Sequence, residues 1–207
     1  VQVTLGEAAE AAAVDTKTLA RQAAVIDQSS DDDLAAVTAK ERRYREFVGS
    51  PAYRDALFLA DAWCAAFVWP KSAATETIAP THALLQIVQR DPNKAPAGLR
   101  DKVADLAESY HFKHWHLAFP HVFAEGRGGF DVILGNPPWE HVELKEEEFF
   151  AARAPDIASA RNAAERKKAI AALKTSSPAL FEEFQAAQRL ADCEMHTIRA
   201  SGHFPLC

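Results

Sequence analysis

The chain has 207 residues, 48% hydrophobic and 25% charged, with a net charge of −6 and a pI near 5.8. This length and balance suit one globular domain with at most a small appendage, and they exclude wholesale disorder. The acidity is not the footprint of a free-standing nucleic-acid binder, and no apolar stretch is long enough to span a bilayer, so no membrane partner is expected.

The N-terminus, V-Q-V-T-L-G-E, has neither a basic start nor an apolar run, so no signal peptide is expected. Alanine makes up about a fifth of the chain against 8 glycines, which predicts a mostly helical fold. Residues 1 to 30 read as a weakly patterned helical stretch. Asp31, Asp32 and Asp33 suit the positive end of a helix reaching E-R-R-Y-R-E. Ser50-Pro51 then marks a helix start, serine as N-cap and proline in the first turn. The helix that follows is apolar nearly all round after Ala56, which predicts burial on most sides, with Trp63, Phe67 and Trp69 in the core, until Pro70 stops it.

Residues 71 to 80 read as a loop and 81 to 90 as a short helix. Leu99, Val103, Leu106 and Tyr110 are spaced 4, 3 and 4, which places them on one helical face. That helix is extended in this reading through H-F-K-H-W-H-L-A-F to Pro120. Next, A-E-G-R-G-G holds three of the eight glycines, and F-D-V-I-L reads as a buried strand at about 130–134. Past it come K-E-E-E as an exposed helix start, a charged helix over about 156–173, and a second cap signal at Ser177-Pro178. Leu180, Phe184, Ala187, Ala191, Met195 and Ile198 form a stripe on the last helix. The expected organisation is a mostly helical region 1–110, a catalytic-core segment 111–142, and a helical region 143–207. A single strand cannot satisfy its own backbone groups, so the chain reads as an internal piece of a larger protein, its core continuing beyond the chain end.

Chemistry concentrates at Asn136-Pro137-Pro138-Trp139, directly after the expected strand. Such a tetrapeptide arises by composition about once in 10^5 windows. The Asn136 side-chain oxygen and the Pro137 carbonyl can accept two hydrogen bonds from one –NH2 group, and proline contributes no competing donor. Trp139 offers a flat face for a planar ring. Two acceptors on an aromatic amine draw its nitrogen towards tetrahedral geometry and stabilise the charge that develops on methylation, so no strong base is needed.

This segment resembles the catalytic motif of amino-methylating, adenine-specific DNA methyltransferases, in which N/D-P-P-Y/F/W follows the fourth core strand. The flanks H-W-H-L-A-F-P-H-V-F, G-F-D-V-I-L-G-N-P-P-W-E, K-E-E-E-F-F-A and S-G-H-F-P-L resemble the large methylases of restriction-modification and phage-defence systems. The resemblance implies an α/β, Rossmann-like class I fold, S-adenosylmethionine (SAM) as methyl donor, and double-stranded DNA with a flipped-out adenine as substrate. It implies that Asn136 and Pro137 bind the amine, Pro138 shapes the turn and Trp139 stacks on the base. Two features depart from the family. The aromatic-x-G-x-G loop that holds SAM is missing, since Gly126-Arg127-Gly128-Gly129 precedes its strand and opens no helix. Lys113 and His121 stand where the family more often has an aromatic and a glutamate.

Other residues read more simply. His111, His114, His116 and His121 are dense, but positions two apart on a helix diverge by about 200°, so packing is expected over a metal site. Arg161, Arg166, Lys167 and Lys168 read as a solvated face, with contact to DNA phosphates as the sharper alternative. The cysteines, Cys64, Cys193 and Cys207, are odd in number and scattered, which fits a reducing cytoplasm. Two other functions stay open: a protein glutamine methyltransferase, whose amide –NH2 needs the same two acceptors, and an inactive helical fragment or interaction module.

Overall fold

In the computed structural model, residues 16–70, 72–124, 128–136 and 143–200 are described. The chain divides into two compact units, Val1–Asn136 and Pro137–Cys207.

In the first unit, α1 (Thr16–Asp27) and α2 (Leu34–Val48) pack together, and α3 (Pro51–Val68) follows after a two-residue break. The starts are written locally. The Asp33 carboxylate accepts from the Ala36 amide at 2.7 Å, and the Ser50 hydroxyl from the Tyr53 amide at 3.2 Å, with Pro51 in the first turn. Such caps satisfy amides that the helix itself leaves free, typically worth about 1 kcal/mol each. Two short helices follow, α4 (Ala73–Glu76), inside the stretch expected as a loop, and α5 (His82–Arg90). The Trp69 indole donates to the Thr75 carbonyl at 3.0 Å, which explains why the chain turns back after Pro70. Next comes α6 (Leu99–Ser109), entered through Gly98 at φ +81° and packed along α3. As the spacing predicts, its Leu99, Val103 and Leu106 are buried. Leu19, Ala23, Phe47, Tyr53, Ala56 and Leu117 form a core cluster of this unit. Trp63, expected inside, is 38% exposed. It lies on the side of α3 away from Ala62 and Ala65, both fully buried, and a helix of this radius cannot hide every side.

The long helix expected from Leu99 to Pro120 is interrupted. The helix stops before Tyr110, and His111 takes φ +52°, a left-handed conformation that ends an α-helix. The chain re-enters a single helical turn, α7 (Trp115–Ala118), after an extended His114.

The second correction concerns the strand at 130–134. No strand occurs among the described residues, and 130–136 carry no regular structure. Val132, Ile133 and Leu134 are 71%, 80% and 92% exposed. A strand needs a neighbour for its amides and carbonyls, and the described residues offer none.

The second unit holds α8 (Glu146–Ala151), α9 (Pro155–Ala158), α10 (Ala163–Ser176) and α11 (Pro178–Ala200). The charged helix expected over 156–173 is two helices, because Asn162 restarts the chain by accepting from the Glu165 amide at 2.9 Å. Phe149, Phe150, Ile157, Ile170, Leu173 and Phe184 make its core. Of the stripe expected on the last helix, Phe184 is buried and Leu180 and Ala187 border that core, whereas Ala191, Met195 and Ile198 are half-buried.

Candidate functional site

The approach to the motif begins at α3. Asp61 is 9% exposed, the one charged side chain buried among the described residues. An isolated carboxylate in such a place is costly. Asp61 meets His114 across 53 positions of sequence, with 2.8 Å between Oδ1 and Nε2. A carboxylate only accepts, so Nε2 carries the proton. Cys64, one turn further along α3, has its thiol pushed up to about 11 by burial first and by the Asp61 charge second.

His114 sits outside the helix, so the expected helical divergence from His116 does not apply, and the two rings stand 5.9 Å apart. No group of three or more metal-ligating side chains occurs among the described residues. His121 lies 3.8 Å from Asp27, and its Nδ1 is buried without a partner among the described residues. His111 is exposed.

From His114 the chain leads into a cluster of rings. Trp115 stacks on Phe119 at 5.9 Å, and Phe130 meets Trp115, Phe119 and Phe123 edge-on at 6.0, 5.3 and 5.5 Å. Gly128 and Gly129, at φ +75° and +137°, turn the backbone into Phe130, a path closed to most side chains. Beyond Phe130 the segment is exposed up to Asn136, and a Cβ on Gly135 would meet nothing within 4 Å. Asn136 is itself exposed, so its amide is open to an incoming group. Pro137, Pro138 and Trp139 lie outside the described residues. Clefts of about 400 and 460 Å³ involve α1, α2 and residues near His121, and Asn136 lines neither.

The described residues do not fit a SAM cradle. Gly128-Gly129 lead into no helix, and the single glycine that does precede one, Gly98, has the Ile78 side chain 3.9 Å from where its Cβ would be. Among the candidate phosphate contacts, Arg166 is already engaged, donating to Glu146 at 3.0 Å and Glu147 at 2.7 Å, and so ties α10 to α8. Arg161, Lys167 and Lys168 are exposed.

The pairing of Asp61 with His114 escapes a reading by motif. Its signal is the lone acid in the apolar run F-L-A-D-A-W-C-A-A, a residue that has to find a partner.

Comparison with known families matches the Eco57I restriction-modification methylase over residues 66–177, a span that takes in α7, the ring cluster and the whole Asn136–Trp139 motif. Comparison with curated proteins and with solved structures finds no match. A match over more than half of the chain, centred on the motif that suits methyl transfer, makes the chain a member of the Eco57I restriction-modification methylase family.

Proposed function

We propose that the protein methylates the exocyclic amino group of an adenine flipped out of double-stranded DNA, in restriction-modification or phage defence. The observation that carries this reading is the exposed Asn136 heading Pro137-Pro138-Trp139 inside the matched methylase span. In this reading the Asn136 side-chain oxygen and the Pro137 carbonyl accept both amine hydrogens. Proline supplies no rival donor, and Trp139 takes the face of the base. Holding both hydrogens stabilises the positive charge as the nitrogen gains a fourth bond, and the proton then leaves to water. SAM, the donor that the resemblance implies, supplies an electrophilic methyl group. Its cradle belongs to residues other than those described, and the class I Rossmann-like sheet is likewise assigned to the family's core outside them.

The test is transfer of tritiated methyl groups from SAM to DNA by the full protein, followed by nucleoside analysis. Asn136→Ala is expected to lower the rate by about 10^2-fold or more, the scale of losing a preorganised partner of the transition state. Undiminished labelling of N6-methyladenine by that variant overturns the mechanism. Label found in glutamine of a protein substrate and absent from DNA would favour the glutamine methyltransferase instead.

A further inference from the structure

We propose that Asp61 is a positioning residue for the Asn136 loop, acting through His114; the proposal rests on the role given to Asn136 above. Asp61 lies outside the matched methylase span, whereas His114 and the motif lie inside it. The pair therefore ties the methylase segment to a helix that begins before that segment. Both side chains are nearly enclosed, 12% exposed for Asp61 and 9% for His114. A buried ionisable pair is a poor source of stability, since apolar residues of the same volume commonly do as well or better. What it adds is direction. The bond at 2.8 Å fixes where the His114 ring points, and so where the backbone enters α7.

The consequences run along the chain. The His114 carbonyl accepts from the Leu117 and Ala118 amides at 3.1 and 2.9 Å, so the residue that Asp61 holds is the one that starts α7. Leu117 is locked in the core. Trp115 and Phe119, on the exposed side of the same turn, hold Phe130 together with Phe123. Phe130 is the last residue before Asn136 with a ring contact, and 131–136 are exposed throughout. A rotation of α7 therefore passes to Phe130 and from there to the acceptor at Asn136. Displacement of reacting groups by about 1 Å can cost up to 10^2-fold in rate.

The experiment uses the full protein and separates orientation from stability. The double variant Asp61→Leu with His114→Leu replaces the pair by apolar volume. It is expected to keep its melting temperature within a few degrees and to lose at least ten-fold in kcat for DNA methylation, with KM for DNA and SAM within about two-fold. Asp61→Asn, whose amide oxygen still accepts the Nε2 proton, is expected to stay within about three-fold of the parent kcat. A double variant with parental kcat overturns the proposal, and so does an Asn variant that loses as much as the double variant. Failure of the Asn136 reading looks different, because then the unaltered protein leaves DNA unlabelled or Asn136→Ala labels it fully. In that case amide hydrogen exchange at Leu117, Ala118 and Phe119 decides. Faster exchange in Asp61→Ala than in Asp61→Asn upholds the positioning role, and equal exchange overturns it.

Discussion

Cys64 shows how one buried charge colours its surroundings. Its thiol is held up to about 11, by burial and then by Asp61, from an ordinary value of 9.0. The thiolate is the reactive form, so at pH 8 the folded protein presents about 100-fold less of it than an unfolded cysteine does. Alkylation of Cys64 by iodoacetamide at pH 8, followed by peptide mass mapping, is expected to be slower by roughly that factor in the native protein than in denaturant. Equal rates would mean that the site is open. The sign for stability follows from the same shift. A raised pKa in the folded state adds stability that is complete below pH 9 and fades as pH climbs towards 11. Arg166 offers the complementary lesson. Its sequence context suggested phosphate, yet Glu146 and Glu147 take the guanidinium. Charge type alone does not separate a ligand contact from a strut.

At the scale of elements, local signals were legible and pairing was not. The caps at Asp33 and Ser50 and the buried face of α6 follow from chemistry within four residues, and all can be read directly. The end of α6 at Tyr110 depends on His114 meeting Asp61, 53 positions away, which no periodicity encodes. The motif at Asn136 was legible because its meaning lies in four adjacent residues. Its support was not, because the rings that hold Phe130 come from three separate turns of chain. The run Val132-Ile133-Leu134 has the composition of a buried strand and lies exposed. Composition reports what a segment can pair with, and the described residues contain no strand to receive it. The consequence is measurable. Ile133→Ser and Leu134→Ser in the 207-residue chain are expected to change stability by less than about 0.5 kcal/mol each, as at other exposed sites. Burial would make each cost about 2–5 kcal/mol, and a melting point lowered by 5 °C or more would place the run inside a core.

At the scale of the whole molecule, the question is how a chain carrying the motif of a methylase obtains its methyl group. Net acidity offers little pull on DNA phosphates, so base selection in the proposed reaction rests on the acceptors and the stacking ring rather than on long-range attraction. The donor presents a sharper requirement. An adenosine-bearing cofactor is held in this kind of fold where a strand meets a helix through glycines that let the backbone come close. Every described glycine is committed otherwise. Gly49 closes α2, and its Cβ would meet the Arg45 carbonyl at 3.0 Å. Gly98 turns into α6 against Ile78, and Gly128 and Gly129 steer Phe130 into its ring cluster. The 207-residue chain by itself is therefore expected to show no heat of SAM binding in titration calorimetry at tens of micromolar protein. A dissociation constant in the micromolar range would mean that residues other than a glycine turn hold the donor, and the separation drawn here between the target-base loop and the donor site would fall.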